Sequence, residues 1–276
     1  MKRKISLLTT AAAIGTILVG CSGETATSKE GTGLLDDGVL TIGVTAGPHE
    51  DILNEVKEIA AEDGLEIEIV AFNDFVQPNT ALAEGELDLN SFQTSPFLET
   101  VIEESGYELE KLAPTISIPM GIYSEKYTDV AEIKEGDVIG IPNSPTQEGR
   151  ALQLFEEAGL ITLPEGSGQE VTTSDILDNP LKLEFVTSEA AQLPVQLQDL
   201  GAAGINSNFA LDAGLNPKES GLFIENVEDL SQANYIVSRT EDKEDEVIAQ
   251  FVEYYQSDEI KQFIEEEFQG ALVPAW

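Results

Sequence analysis

The sequence predicts an α/β fold of two lobes with a ligand cleft between them. Three observations carry that expectation. Over residues 39–104, short apolar runs alternate with amphipathic helical patterns, the order of a parallel sheet with helices on both faces. A second series of the same kind runs from residue 138 to residue 206. Extended segments near residues 118–124 and 223–238 are placed to carry the chain from one series to the other and back. Ligands of open α/β sheets bind beyond the carboxyl ends of the strands, so with two lobes the cleft between them is the expected site.

The first residues stand apart from this fold. Lys2, Arg3 and Lys4 precede an uncharged, mostly apolar run over residues 5–19, which ends at Gly20 and Cys21. Charge, a short apolar stretch and small residues, in that order, make a secretory signal. Residues 18–21 (LVGC) resemble a bacterial lipobox, in which the cysteine sulfur is acylated and cleavage falls just before it. Cys21 is therefore the expected lipidation site and membrane anchor, on the extracytoplasmic face. A plain transmembrane helix is the alternative that apolar length alone leaves open. Residues 22–38 are small, polar and glycine-containing, as suits a tether.

The expected division is a signal peptide over 1–20, a lipidated tether over 21–38 and a first lobe over 39–118. A second lobe with its crossing segments follows over 119–235, and 236–276 returns to the first lobe. Within it, residues 39–44 read as a strand. Residues 48–63 read as a helix, with Ile52, Val56 and Ile59 on one face and Gly64 closing it. Residues 65–70 alternate as a strand, 77–84 form a helix that tolerates Pro78 in its first turn, 87–92 a strand and 96–104 a helix. Residues 112–124 are a long apolar stretch broken by Pro114, Pro119 and Gly121. Further strands are expected at 138–141, 183–186, 202–206 and 233–238. Helices are expected at 146–158, 190–198, 244–255 and 258–268.

Composition excludes several functions. Acidic residues number 52 against 14 basic ones, a formal net charge of −38. Such a surface repels nucleic acid. One cysteine excludes an intramolecular disulfide, and one histidine, His49, leaves neither a Ser-His-Asp triad nor a multi-histidine metal site. No Gly-x-Ser-x-Gly elbow occurs. No catalytic residue, metal or cofactor is expected.

Residues 141–152 (IPNSPTQEGRAL) are the most informative segment. A strand ends in a turn and a helix begins, with Ser144 placed as cap, Pro145 at the first helical position and Gln147 at the third, a capping-box pattern. A helix N-terminus favours an anion. Arg150 lies one turn inside and is the only cation between Lys134 and Lys182. It reads either as a carboxylate-binding fork or as a surface salt bridge. Phe75, Phe92 and Phe97 follow strands of the first lobe, and read either as an apolar wall suited to a thioether or as core. Asn206 at a strand end and Asn234 in the second crossing can donate to a carboxylate or accept from an ammonium, or can serve as turn and cap residues. His49 is read as a helix-capping residue.

These segments, taken in order, resemble the MetQ/NlpA-type methionine-binding lipoproteins. The likeness is carried by Pro48 and His49, residues 72–79 (FNDFVQPN), 85–90 (GELDLN), Phe92 and Gln93, 119–124 (PMGIYS), 141–143 (IPN) and 149–152 (GRAL). Residues 189–194 (EAAQLP), Ile205, Asn206, Asn234 and 256–259 (QSDE) continue it. The resemblance implies a periplasmic-binding-protein architecture closing on an L-amino acid, and a monomer that delivers it to an ABC permease and its ATPase. It implies Arg150 on the ligand carboxylate, Asn206 and Asn234 on its backbone polar groups, and Phe75, Phe92 and Phe97 around its side chain. The chain departs from the family where Phe75 and Phe97 stand in place of tyrosines, and Thr94 in place of a histidine. Residues 147–150 (QEGR) also replace an asparagine-led version of that motif. Methionine is the expected ligand, with another apolar amino acid or a methionine-containing dipeptide as alternatives, and an adhesin-like lipoprotein that only retains the fold as a third.

Overall fold

Alternation and helical spacing decide the first elements. In the computed structural model, which describes residues 38–226 and 230–276, β1 (Val39–Thr45) buries Leu40, Ile42 and Val44 completely, as a two-residue period requires. The signal segment and Cys21 lie outside the described residues. α1 (Pro48–Glu62) turns Ile52, Val56 and Ala60 inward, and Gly64 ends it with φ +87°, a left-handed conformation that costs glycine little. Each such fully buried Ile, Leu or Val contributes roughly 1.5–3 kcal/mol.

β2 (Glu66–Phe72), α2 (Gln77–Glu84), β3 (Leu89–Thr94) and α3 (Ser95–Ser105) continue the series. β1 runs parallel to both β2 and β3. The apolar stretch over residues 112–124 resolves into β4 (Leu109–Ser117) and β5 (Met120–Tyr123), which belong to different sheets. Ile118 and Pro119 carry the chain across.

The second sheet is built from β6 (Val138–Pro142), α4 (Pro145–Glu157), β7 (Glu184–Ser188), α5 (Leu193–Gln196), β8 (Ala202–Asn206), α6 (Ser207–Asp212), α7 (Pro217–Ser220) and β9 (Gly221–Ile224). The chain then returns to the first sheet as β10 (Ala233–Arg239), followed by α8 (Glu246–Tyr255), α9 (Asp258–Phe268) and β11 (Val273–Pro274). The strand orders are β11-β4-β10-β3-β1-β2 and β7-β6-β8-β5-β9. The molecule is thus a two-lobed α/β binding-protein fold. Phe251, Ile260 and Ile264 of the C-terminal helices share one core with β1 and α1, while Ile139, Ile141, Leu152 and Phe155 centre another in the second lobe.

Several expectations need correction. Neither sheet is purely parallel: β10 is antiparallel to β3 and β4, and β5 is antiparallel to β8 and β9. The helix expected over 190–198 is a 3-10 turn (Ala190–Gln192) followed by the four-residue α5. Pro194 explains the break, because its ring clashes with the carbonyl four residues back and it has no N–H to donate. α6, α7, β9 and β11 were not expected; they are short and lack a full hydrophobic period.

Contacts between the lobes include two side-chain hydrogen bonds. Lys218 Nζ donates to the carbonyl of Gln269 at 2.7 Å, and Asn208 Nδ2 to Thr45 Oγ1 at 3.5 Å. Gly47, with φ +86°, sits where a Cβ would meet the Asn208 carbonyl at 2.8 Å, so glycine is needed there for both conformation and space.

Candidate functional site

The carboxyl ends of strands from both sheets converge on one small cavity between the lobes. The first lobe contributes His49, Phe75, Phe92, Gln93, Thr94, Phe97 and Asn234, and the second Gln147, Arg150, Asn206 and Asn208. Ile118 of the crossing completes the wall. All seven residues singled out from the sequence, Phe75, Phe92, Thr94, Phe97, Arg150, Asn206 and Asn234, therefore border the same space.

The apolar side is a cluster of rings. Phe75 stacks on Phe92 with centroids 6.2 Å apart, and Phe97 meets both edge-on at 6.1 Å. Phe75 also reaches across the cleft to Phe209 at 5.2 Å. Their positions follow from the fold: Phe75 lies between β2 and α2, Phe92 near the end of β3 and Phe97 in the first turn of α3.

Behind these rings lies a closed set of buried amides. Asn79 Nδ2 donates to Gln93 Oε1 at 2.8 Å, Gln93 Nε2 returns to Asn79 Oδ1 at 2.7 Å, and Asn90 Nδ2 donates to Asn79 Oδ1 at 2.9 Å. A fully satisfied network of this kind fixes the loop and strand that carry Phe75 and Phe92. These roles for Asn79, Asn90 and Gln93 were not read from the sequence.

Among the described residues of the cavity wall Arg150 alone carries a full charge, and it is 3% exposed. It is not a surface salt bridge. Its guanidinium is paired with the Glu225 carboxylate, Nε to Oε1 at 2.9 Å and Nη2 to Oε2 at 2.5 Å, and Nη2 also donates to the Ile118 carbonyl at 3.0 Å.

The capping box expected for α4 does not form. Ser144 occupies the cap position without a side-chain bond, and Gln147 Oε1 instead accepts from Asn206 Nδ2 at 2.7 Å. That bond leaves Asn206 Oδ1 buried without a hydrogen-bond partner among the described residues, and Thr94 Oγ1 and His49 Nδ1 are in the same condition. Asn206 is the N-cap of α6 but makes no side-chain cap bond. Asn234 Nδ2 makes a long bond of 3.4 Å to the Gln232 carbonyl. His49 does not cap α1 either; Gly47 holds the cap position. Burial holds the His49 imidazole neutral, its pKa lowered from 6.5 to about 4.

The arrangement can grip a small zwitterion with an apolar side chain. One guanidinium faces an anion, unpaired acceptors such as Asn206 Oδ1 suit an ammonium, and rings surround the remainder. Each buried polar atom left unpaired costs roughly 1–3 kcal/mol, which a ligand with matching groups offsets.

Comparison with known proteins agrees with this geometry. The family model for NlpA lipoproteins matches residues 40–276. The D-methionine-binding lipoprotein MetQ of Salmonella typhimurium is 37% identical over 270 residues, covering 97% of this chain and 98% of its own. A nutrient-binding protein from Burkholderia cenocepacia, solved bound to methionine, superposes with a TM-score of 0.83 at 38% identity, covering 86% of this chain and all of its own. The methionine-binding protein MetQ superposes with a TM-score of 0.84 at 36% identity, covering 87% of this chain and 99% of its own.

Proposed function

The chain belongs to the NlpA lipoprotein family, and from that membership and its cavity we propose that it is the substrate-binding protein of an ABC importer for L-methionine. The observation that carries this is the single guanidinium of Arg150 on the wall of a cavity otherwise lined by rings, amides and unpaired polar atoms. Arg150 holds the ligand carboxylate. Asn206 and Asn234 hold the polar groups around the α-carbon. Phe75, Phe92 and Phe97 enclose the thioether, since sulfur packs favourably against rings, and Thr94 leaves room beside them. The chain binds its ligand and catalyses no reaction.

A cage without phenol tips cannot separate two side chains of the same shape. L-methionine and L-norleucine should therefore bind within roughly tenfold of each other, about 1.4 kcal/mol. Methionine sulfoxide should bind clearly worse, because its oxygen enters an apolar cage. Competition calorimetry with the three compounds checks this. Tighter binding of the sulfoxide would place an unrecognised polar group in the cage. Binding of a methionine-containing dipeptide but of no free amino acid would replace the ligand and keep the importer.

We further read the chain as a monomer anchored outside the cytoplasm through Cys21, working with a membrane permease and its ATPase. Among the described residues no helix is long and apolar enough to cross a membrane. Cys21→Ser should shift the processed protein from the membrane to the soluble fraction. A wild-type protein that is processed, soluble and without lipid would contradict the anchor.

A further inference from the structure

Arg150 comes to the cavity with one edge of its guanidinium already taken. Nε donates once to Glu225, and Nη2 donates to both Glu225 and the Ile118 carbonyl. These bonds use one N–H on Nε and two on Nη2. Of the five donors of a guanidinium, they leave the pair on Nη1.

Glu225 is itself fixed. Its Oε2 accepts from the Met120 N–H at 2.6 Å, and its own N–H donates to the Met120 carbonyl at 3.0 Å. It does not border the ligand cavity. It lines a second, larger cavity of about 380 Å³ that shares Arg150 and Ile118 with the first. The pair is thus a partition: Arg150 faces both spaces, and Glu225 stands behind it.

We propose that Glu225 is a positioning residue for ligand recognition, holding Arg150 by its Nε–Nη2 edge so that only the Nη1 end meets the ligand carboxylate. This rests on the reading of Arg150 given above. Two consequences follow from the geometry. The ligand carboxylate cannot take the bidentate fork that makes Arg–carboxylate pairs strong, because that edge is occupied. It also meets a guanidinium whose charge is already balanced by a resident anion, and like charges near one site repel. Glu225 therefore weakens the site's preference for a carboxylate and shifts selection towards the ring cage and the amides. None of this has a local signature, since 75 positions separate the two residues.

The test compares L-methionine with L-methioninol, which keeps the side chain and ammonium but lacks the carboxylate. The readout is the ratio of the two dissociation constants for the full-length chain, measured by calorimetry. Glu225→Gln keeps the shape and one acceptor but removes the charge, so the ratio should rise about tenfold in favour of methionine, with methioninol affinity little changed. Glu225→Asp keeps the charge but is too short to span both nitrogens and the Met120 amide, so its ratio should fall between the two. A ratio that stays within about twofold of wild type, or falls, in the variants that fold would make Glu225 merely structural and overturn the proposal. If neither variant folds, the wild-type ratio decides: below about a hundredfold supports the neutralised pair, and a larger one overturns it. A wild-type chain that binds neither compound would instead remove the reading of the cavity as an amino-acid site.

Discussion

His49 shows what burial does to one residue in this site. Its imidazole is 2% exposed and its Nδ1 has no partner among the described residues. An unfolded chain takes up the imidazole proton near pH 6.5, whereas the folded protein does so only near 4. Between those values the unfolded state binds more protons, so stability rises with pH. The contribution is complete above about pH 6.5 and is lost as pH falls towards about 4, by up to ~3 kcal/mol. His49→Gln, which cannot titrate, should lose less stability than wild type when urea unfolding is compared at about pH 7.5 and about pH 4.5. Equal losses in the two proteins would assign the acid sensitivity to other groups. The sequence pointed to His49 as a cap because Pro48 and the helix start are local features. Its burial depends on packing from both lobes, which no window around residue 49 contains.

At the scale of elements, local chemistry was legible where it acts alone. The α2 and α9 ranges came out of periodicity and boundary residues unchanged, at Gln77–Glu84 and Asp258–Phe268. α4 shows where tertiary packing wins. Ser144, Pro145 and Gln147 spell a capping box, yet Gln147 turns to Asn206, 59 positions away. Gly149 stands in the same helix, where glycine costs roughly 1 kcal/mol relative to alanine. The cost has a cause: a Cβ at that position would collide with the Gln169 carbonyl, so glycine lets the loop lie against the helix. β3 extends to Thr94, two residues beyond the expected strand end, because β10 pairs with it from 140 positions further on, Asn234 opposite Thr94. Of the seven candidate residues, Phe75 follows a strand, Phe92, Thr94 and Asn206 lie at or near strand ends, and Phe97 and Arg150 lie in or just beyond a first helical turn, so local position marked them. Thr94 and Asn234 rested more on the family resemblance and the expected crossing. The second contacts, Glu225 behind Arg150 and Gln147 beside Asn206, are long-range and were not legible.

The whole molecule brings these contacts to one place. The chain passes between its sheets at Ile118–Pro119 and again between β9 and β10. Arg150 bonds to both routes, through the Ile118 carbonyl and through Glu225 just beyond β9. A ligand gripped by Arg150 is therefore gripped where the lobes are joined. Lys218 and Asn208 also bond from the second lobe to the first, and acids of both lobes lie near Asp51. The Asp51 carboxyl is pushed above its ordinary range first by burial, then by Glu50, Glu267 and Asp212, the last from the second lobe. The most direct measurement of the central claim is a crystal structure of the chain grown with L-methionine. Methionine is expected in the cavity, its carboxylate within hydrogen-bond reach of Arg150 Nη1 and its sulfur among Phe75, Phe92 and Phe97, with Glu225 still on Nε and Nη2. Methionine bound elsewhere, or seated in the cavity with its carboxylate turned away from Arg150, would contradict that claim.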